Sequence, residues 1–171
     1  MSELRQTEAP PKAGQDVSKE RLRLWLRLLK ATRMVEAELR ERLRLEFETT
    51  LPRFDVLAAL RRAPKGLRMS ALSTELKVSN GNVTGIVDRL VADGFVVRVP
   101  VDNDRRAMVV RLTARGKDGF DAMARAHEHW IDGLMGGVSP EMARDLSGAL
   151  DQISAEALEH MKTIRDKEKT R

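Results

Sequence analysis

The stretch VSNGNVTGIVDRLVADGF, residues 78 to 95, decides the fold. Its apolar residues, among them Val83 and Val87, recur at intervals of three and four, which predicts a helix with one buried face. Gly81 and Gly85 lie within this helix, although a glycine inside a helix costs about 0.5–1 kcal/mol relative to alanine. Because residues four apart share a face, the two glycines let another molecule or element approach the helix backbone closely.

The segments around this helix follow the order of a winged helix-turn-helix. The short apolar-polar run ALSTEL, residues 71 to 76, predicts a helix that Ser70 can cap, and residues 77 to 79 form the turn after it. Two β-branched runs, FVVRVP (95 to 100) and AMVVRLT (107 to 113), enclose the charged turn VDNDRR. This arrangement predicts a β-hairpin directly after the glycine-containing helix.

Long helical patterns flank this core. One helix is expected from Ser18 to Phe47, and Thr50 with Pro52 begins a second. Thr113 can cap a fifth helix after the hairpin, and the sequence Ser139-Pro140 opens a last one. The predicted fold is therefore mainly α (α+β): a winged helix-turn-helix with long N- and C-terminal dimerisation helices, about six helices and a β-hairpin wing.

The pattern predicts four segments. The first, fifth and last helices carry apolar stripes that a small winged lobe cannot cover unaided, so we expect a second copy to cover them. The segments are a flexible N-terminal arm, an N-terminal dimerisation helix, a winged DNA-binding lobe and the C-terminal dimerisation helices, at residues 1–17, 18–48, 49–113 and 114–171.

Composition narrows the partners and the compartment. Lysine and arginine number 31 against 26 acidic residues, which gives a net charge of +5 and a pI near 9.9 and favours an anionic partner. The chain contains no cysteine, which excludes disulfides, thiolate metal sites and cysteine nucleophiles. The N-terminus has no apolar signal core, and no run approaches the roughly 20 apolar residues of a membrane span, so we expect a cytoplasmic protein.

The helix after the turn predicts a DNA contact. In a helix-turn-helix, the second helix enters the major groove by its N-terminal residues. A serine cap leaves free N–H groups beside a phosphate, and asparagine and threonine side chains match base edges or phosphates. The alternative is a helix pair packed tightly on Gly81 and Gly85 in an unrelated α-helical protein. The residues predicted to contact DNA from this helix are Ser79, Asn80, Asn82, Val83, Thr84 and Arg89.

The hairpin turn carries a second group of candidate residues, Asp104, Arg105 and Arg106. An arginine at such a tip can enter a narrow minor groove, and a neighbouring carboxylate can orient its guanidinium. A charged turn alone commonly does no more than face solvent. Its place directly after the predicted recognition helix favours the DNA-binding interpretation.

These residues carry a family resemblance. The string LSTELKVSNGNVTGIVDRLVADGFVVRVPVDNDRRAMVVRLTARG, residues 72 to 116, closely resembles the winged-helix core of the MarR (multiple antibiotic resistance regulator) transcription factors. The matching features are the helix pair LxxxLxVSxxxVTxxVDRLxxxG, the strand with Arg98, the wing pattern Asp104-x-Arg106, and Leu112-Thr113 followed by Gly116.

The resemblance implies a homodimer whose two winged lobes read a pseudo-palindromic operator in double-stranded DNA. It implies that Arg106 reaches the minor groove and that Asp104 positions it. It further implies a repressor released by a small anionic or aromatic ligand held between the dimer region and the DNA-binding lobe. The cysteine-based peroxide sensors of the family are no guide here, because the chain has no thiol.

The first helix suggests where an anionic effector would bind. Between Ser18 and Phe47 there are nine basic residues against five acidic ones. A solvated face with glutamate pairs explains most of them. The sharper hypothesis is an anion site for an aromatic carboxylic acid or for the phosphates of its coenzyme A thioester, as in relatives that control aromatic catabolism. The candidate effector-binding residues are Arg23, Arg27, Arg33 and Arg40 for the anion, and Trp25, Met34, Phe54, Met108, His127 and Trp130 for apolar walls that could equally be core packing.

No enzyme, cofactor or metal site is predicted. His127 and His129 lie two apart on a helix and point about 200° away from each other, so they cannot share one ion. No nucleophile triad, phosphate loop or catalytic carboxylate pair is recognisable. The sequence thus favours a dimeric, sequence-specific transcriptional regulator. The alternatives are an effector-independent architectural DNA-binding protein and a protein-interaction helical dimer.

Overall fold

The computed structural model describes the backbone of residues 13 to 101 and 104 to 169, and the side chains of residues 16 to 100 and 108 to 168. The chain divides after His127 into two compact units. Within the described ranges there are six helices and one hairpin, which confirms the predicted fold class. The elements are α1 (Ala13–Phe47), α2 (Leu51–Arg62), α3 (Met69–Leu76), α4 (Asn80–Ala92), β1 (Val96–Val101), β2 (Asp104–Leu112), α5 (Ala114–Leu134) and α6 (Pro140–Lys169).

Two helices begin earlier than the sequence pattern predicts. α1 begins at Ala13 rather than Ser18, because no proline follows Pro11 in this region and Asp16 suits the positive end of the helix dipole. α3 begins at Met69, with the extended residue Arg68 before it, so the prediction that Ser70 caps this helix is wrong. The Ser70 carbonyl instead accepts hydrogen bonds at 2.9 Å from two hydroxyl groups in the next turn.

Hydroxyl caps fix the start of three helices. The side chains of Ser79, Thr113 and Ser139 accept backbone N–H bonds from the first turns of α4, α5 and α6, at 3.4, 2.9 and 3.2 Å. Each cap satisfies one of the N–H groups that a helix end leaves unpaired. Thr50 precedes α2 in an extended conformation, and Pro52 lies in the first turn as predicted, but the threonine side chain makes no cap bond.

The core of the first unit joins α2, α3, α4 and the hairpin to the end of α1. Apolar side chains recur every three or four residues along the helices and every second residue along the strands, so each element has one apolar face that packs inward. The contacting pairs of elements include α2 with α4, α3 with α4, and α2 with β2. The large side chains with less than 2 % exposure are Leu43, Leu57, Leu60, Leu72, Leu90, Val56, Val83, Val87 and Val110.

The hairpin is held at its base by the chain before α3. β1 and β2 pair antiparallel, with Val96 opposite Leu112 and Val99 opposite Val109. Leu67 forms a bridge to the outer side of β2 through two backbone hydrogen bonds of 2.9 and 2.8 Å. The second strand begins at Asp104, inside the segment predicted as a turn, and residues 102 and 103 lie outside the described backbone. The base of the wing is thus tied to the helical core.

The second unit contains the end of α5 and all of α6. Every residue from 139 to 168 is exposed, although α6 runs for 30 residues and carries a regular apolar stripe. Its apolar side chains expose 44 to 59 % of their area and are Met142, Leu146, Leu150, Ile153, Leu158, Met161 and Ile164. Across the described ranges, no helix has the length and apolar character needed to cross a membrane.

Candidate nucleic-acid interface

The two glycines of α4 form a bare outward face. Gly81 and Gly85 each lie two positions from Val83, and so point about 200° away from that buried residue. A Cβ atom built on either glycine would meet no heavy atom within 4 Å. The alternative of a tight helix pair on these glycines is therefore wrong for contacts within the described chain. The backbone of α4 is open to an external partner along this face.

Polar groups surround the N-terminal end of this face. Asn80, Asn82 and Thr84 are exposed, and the Thr84 hydroxyl donates a 2.8 Å hydrogen bond to the Asn80 carbonyl. The Asn80 and Asn82 amides make no hydrogen bond to another described side chain. Ser79 orders the first turn through its cap. The N-terminal end of α4 thus presents two side-chain amides without a hydrogen-bond partner among the described side chains, together with free backbone N–H groups, to solvent.

One predicted DNA contact is wrong. Val83 is 0 % exposed and belongs to the core, so it cannot touch DNA while the lobe stays folded. Its spacing from Val87 and Leu90 already marked it as part of the apolar stripe. Arg89 is exposed and has no ion-pair partner among the described side chains, which leaves it available to a phosphate or a base edge.

An ion pair that the sequence did not reveal links α4 to the hairpin. The Arg98 Nη2 atom on β1 donates to the Asp88 Oδ1 atom on α4 at 2.6 Å. Both side chains are partly exposed, so the pair contributes no more than about 1 kcal/mol to stability. Its contribution is orientational, because it joins the outward side of α4 to the strand that leads into the wing. The only sign of this pair in the sequence is that an acidic residue on the predicted helix comes ten residues before a basic residue on the predicted strand.

The side chains of Asp104, Arg105 and Arg106 lie outside the described part of the chain. The backbone from Asp104 onward belongs to β2 and pairs with β1. Their roles in minor-groove binding therefore stay predictions.

The predicted anion site on α1 is largely a set of surface ion pairs. Arg23 pairs with Glu20 one turn away, and Arg40 donates to Glu36 at 2.7 Å. This is the glutamate-pair arrangement that the sequence left as an alternative. Arg27 and Arg33 are exposed on the same helix, as are the predicted wall residues Trp25 and Met34, at 56 and 63 %.

Of the other predicted effector residues, two come together. The rings of Phe54 and His127 stack at 4.8 Å between centroids, and Phe120 lies 5.4 Å from Phe54. Phe54 is only 8 % exposed and packs as a core residue. Met108 is 42 % exposed on β2, and Trp130 is 4 % exposed in the second unit. The ten predicted effector residues therefore do not line one site within either unit.

The stacked histidine has a carboxylate neighbour that affects its titration. Burial lowers the pKa of His127, and the charge of Asp55 opposes this shift. Although Asp55 is exposed by its overall area, burial of its carboxyl group raises its pKa, with His127 and Arg40 opposing and Glu36 reinforcing the rise. The pair sits where α2 meets α5.

The lowered pKa of His127 predicts a pH dependence of stability. The unfolded chain binds a proton at this ring near its ordinary pKa of 6.5, and the folded chain binds it only at lower pH. The free energy of unfolding should therefore fall as pH drops below about 6.5. The slope should stay well under the roughly 1.4 kcal/mol per pH unit of one whole proton, since the ring is partly exposed. Chemical denaturation between pH 5 and 7.5 measures it.

The variant His127→Gln should flatten that slope, and the exposed His129→Gln should not. An equal slope in wild type and His127→Gln would show that another group titrates in this range.

A cavity that the sequence did not predict lies in the first unit. It occupies about 560 Å³ between the end of α1, the start of α2, the end of α4 and the start of α5. Arg53 and Arg115 line it together with the aromatic ring of Phe95. Neither arginine belonged to a charge cluster in the sequence, so no local signal marked them. Among the described residues, no three histidine, aspartate or glutamate side chains converge as metal ligands.

An exposed, capped helix with a bare outward face, tied to a β-hairpin, defines a winged helix-turn-helix protein. The sequence model of the MarR family matches residues 48–107. A MarR family transcriptional regulator from Silicibacter pomeroyi is 35% identical, with 83% of this chain and 98% of that chain covered and a TM-score of 0.70. The chain belongs to the MarR family. Members are transcriptional regulators, which confirms the prediction that the chain is not an enzyme.

For other relatives, either a smaller share of the relative matches this chain or the sequence identity is lower. PecS, an HTH-type transcriptional regulator of Dickeya dadantii, is 31% identical over 97 residues, which are 56% of this chain and 57% of PecS. The transcriptional activatory protein BadR of Rhodopseudomonas palustris is 34% identical over 96 residues, 55% of this chain and 50% of BadR. The chain thus spans about half the length of these curated relatives. A mutant Escherichia coli MarR crystallised with operator DNA is 25% identical, with 78% of this chain and 95% of that chain covered and a TM-score of 0.69.

Proposed function

We propose that this protein is a homodimeric, sequence-specific transcriptional regulator that binds operator DNA through α4 and the wing. The observation that carries the proposal is the outward face of α4, where Gly81 and Gly85 leave the helix backbone uncovered. An uncovered helix face makes no stabilising contact within the chain, so nothing within the chain offsets the loss of helix stability that the two glycines cause. The likeness to a relative crystallised with operator DNA supports the same use of the face.

In this proposal, the first turn of α4 enters the major groove. The free amides of Asn80 and Asn82 can pair with adenine edges, and Thr84 with a base or a phosphate. Arg89 follows one turn later and contacts the backbone or a guanine. The wing arginines Arg105 and Arg106, with Asp104 as the orienting carboxylate, contact the adjacent minor groove.

The homodimer is supported by the exposure of α6. A 30-residue helix exposed along its whole length gains little from its own propensity and needs tertiary packing for stability. The apolar stripe of α6 and the exposed apolar residues of α1 supply a self-complementary surface for a second copy. In this arrangement residues 18–48 and 114–171 form the dimer region, and residues 49–113 form each DNA-binding lobe. Two-fold symmetry then sets the two copies of α4 about 34–36 Å apart, one turn of DNA.

A small effector would regulate DNA binding if it binds more tightly to a dimer arrangement whose two lobes do not fit successive major grooves than to the arrangement that binds the operator. The effector class proposed is an aromatic carboxylic acid or its coenzyme A thioester. The induction that it achieves is limited by its differential affinity for the two arrangements. Release from an operator that overlaps a promoter makes the protein a repressor. BadR, in contrast, is named an activatory protein. A reporter gene with the operator placed over its promoter distinguishes repression from activation.

The test of DNA recognition is a selection from a pool of random duplexes, followed by mobility shifts at physiological salt. A regulator should prefer the selected operator over random DNA by about 10³-fold or more. An architectural protein would bind both with similar affinity, and a protein-interaction dimer would shift neither. Either of those results would overturn the proposal.

The wing has its own prediction. The variant Arg106→Ala should bind the operator more weakly, and the slope of log affinity against log salt should fall by about one, because one phosphate-proximal cation is lost. The oligomeric state, measured by analytical ultracentrifugation, should not change. The matched control is Arg61→Ala, since Arg61 belongs to neither α4 nor the wing and pairs with Asp121 of α5 at 2.9 Å. An unchanged salt slope in Arg106→Ala would remove the wing from the mechanism.

A further inference from the structure

We infer that Asn80, the first residue of α4, is a site of spontaneous deamidation through the backbone nitrogen of Gly81, and that the modified protein binds its operator weakly. The chemical step depends only on the first turn of α4. Its effect on DNA rests on the proposed function, which puts that turn in the major groove.

The Asn80-Gly81 pair combines the sequence and the exposure that cyclisation requires. Of the three asparagines in the chain, Asn80 alone precedes a glycine, whereas Asn82 precedes the β-branched residue Val83. A glycine leaves the backbone nitrogen accessible and the backbone free to rotate, and a branched side chain obstructs both. Asn80 and Gly81 are exposed, and a Cβ atom on Gly81 would meet no heavy atom within 4 Å. A five-membered ring therefore has room to form there.

The N–H group of Gly81 is available for this reaction. It lies in the first turn of α4, where backbone N–H groups have no partner within the helix, and it donates no hydrogen bond to another described residue. Asn82 and Val83 instead donate to the Ser79 carbonyl, at 3.1 and 3.2 Å. The positive end of the helix dipole also favours the negative charge that develops when the Gly81 nitrogen loses its proton.

A neighbouring hydroxyl group makes the same N–H group more acidic. The Asn80 carbonyl and the Gly81 N–H belong to one peptide group, and that carbonyl accepts a 2.8 Å hydrogen bond from the Thr84 hydroxyl. A bond to the carbonyl polarises the peptide group, because hydrogen-bonded dipoles reinforce each other. The Gly81 nitrogen therefore gives up its proton more readily than a peptide nitrogen whose carbonyl is free.

The first turn of α4 must open briefly, because the ring closes only when the ψ angle of Asn80 leaves the helical region. The cap that closes this turn is long, with 3.4 Å between the Asn82 nitrogen and the Ser79 hydroxyl oxygen. The end turn of a helix also opens at a much lower free energy than the core unfolds. The closed helix thus slows the reaction without preventing it.

The reaction needs only water as a co-reactant. The Gly81 nitrogen loses its proton to water or hydroxide and attacks Cγ of Asn80. The new N–Cγ bond forms as the bond from Cγ to Nδ2 breaks, and Nδ2 takes up a proton and leaves as ammonia. Water then opens the cyclic imide at one of its two carbonyls. Opening at the side-chain carbonyl gives aspartate, and opening at the main-chain carbonyl gives isoaspartate, which adds one methylene group to the backbone.

Either product changes the DNA-facing end of α4 from neutral to anionic. A carboxylate at this position has lost the N–H donors with which an asparagine pairs to adenine. It also repels the phosphates that flank the groove. The same charge suits the positive end of the helix dipole, so the aspartate product keeps the fold. Deamidation therefore removes DNA affinity and leaves a folded protein.

The chemical step is followed by peptide mass spectrometry after the full chain has been kept at mildly alkaline pH. Trypsin cleaves after Lys77 and Arg89, so both asparagines of α4 lie in one peptide, and fragmentation of that peptide distinguishes them. Asn80 should deamidate at least about tenfold faster than Asn82, because only Asn80 precedes a residue without a side chain.

Two glycine variants separate the neighbour effect from helix stability. Gly81→Ala should slow deamidation of Asn80 about tenfold or more, because its methyl group hinders ring closure. Gly85→Ala is the matched control, since its methyl group also meets nothing and it gives α4 the same gain in helix propensity. It keeps the Asn-Gly pair and should slow the reaction far less.

The consequence for DNA is measured by mobility shifts on the selected operator. Asn80→Asp, and the deamidated protein separated by ion exchange, should bind about tenfold or more weakly than wild type. Gln152→Glu adds the same charge at an exposed position of α6 and should leave operator affinity unchanged. In urea denaturation, Asn80→Asp should be at least as stable as wild type.

The outcomes separate this inference from the proposed function. Deamidation no faster at Asn80 than at Asn82, equal slowing by the two glycine variants, or full operator affinity of Asn80→Asp would each overturn the inference. A strong operator preference of the unmodified protein, together with any of these results, leaves the proposed function standing. Rapid deamidation of Asn80 in a protein without any operator preference would instead overturn the proposed function and keep the modification site.

Discussion

Replacing Gly85 with leucine is expected to lower operator affinity by about 100-fold or more without unfolding the protein. A Cβ atom at this position meets no heavy atom within 4 Å, so the fold accepts the side chain. In the proposed complex, the same side chain would occupy the space between α4 and the sugar-phosphate backbone. Loss of two or more contacts worth about 1–3 kcal/mol each accounts for that reduction. Mobility shifts on the selected operator measure it.

The variant Gly85→Ala separates the two roles of the glycine. Helix propensity predicts that alanine raises the free energy of unfolding by about 0.5–1 kcal/mol, while operator binding stays the same or weakens. Gly148→Ala in α6 is the matched control, because its added methyl group also meets nothing and lies far from α4 in sequence. It should stabilise the protein with no effect on DNA. Undiminished operator binding by Gly85→Leu would show that this face of α4 does not contact DNA.

The second large effect is on stability. Gly116→Ala should lower the free energy of unfolding by about 3 kcal/mol, at the upper end of overpacking costs. A Cβ atom on Gly116 would lie 1.9 Å from the carbonyl oxygen of Phe95, and backbone cannot rotate aside as a side chain can. The Thr113 hydroxyl donates to the Gly94 carbonyl at 2.7 Å and accepts from the Gly116 N–H, so the start of α5 is clamped there.

Urea denaturation followed by circular dichroism, at one fixed protein concentration, measures this loss. The fixed concentration matters because the proposed dimer would make the apparent stability depend on protein concentration. Gly148→Ala again serves as the control and should shift the midpoint in the opposite direction. A Gly116→Ala protein as stable as wild type would mean that the loop between α4 and β1 does not approach α5 as described.

Local patterns explain why the winged helix-turn-helix could be predicted from the sequence. Ser79 and Thr113 cap the helices that the sequence assigned to them, because a cap acts within three residues of its own position. The periodicity around Val83 predicts α4, and the same periodicity places Val83 on the buried face, which is why it is not a DNA contact. The prediction that Ser70 caps α3 is wrong for a different reason: more than one residue before α3 is suited to begin a helix.

Long-range contacts explain what was missed. Arg53 and Asp93 pair across 40 residues, and Arg61 and Asp121 across 60, and neither pairing leaves a local spacing to detect. The excess of arginines along α1 predicts an anion site, but neighbouring glutamates pair with Arg23 and Arg40 in the structure. The cavity between α2, α4 and α5 exists only once those helices are packed. A site built from residues of four separate elements requires the tertiary structure.

The most direct test of the account uses the absence of cysteine from the chain. In the variant Thr84→Cys the single thiol can carry an iron–EDTA group that cleaves nearby DNA. On the selected operator, we expect two cleavage sites in the major groove about 34–36 Å apart, one for each half-site. The same reagent on Asp118→Cys, which is exposed on α5, should cut far less. Operator binding without cleavage from position 84, or equal cleavage from position 118, would contradict the placement of α4 in the groove.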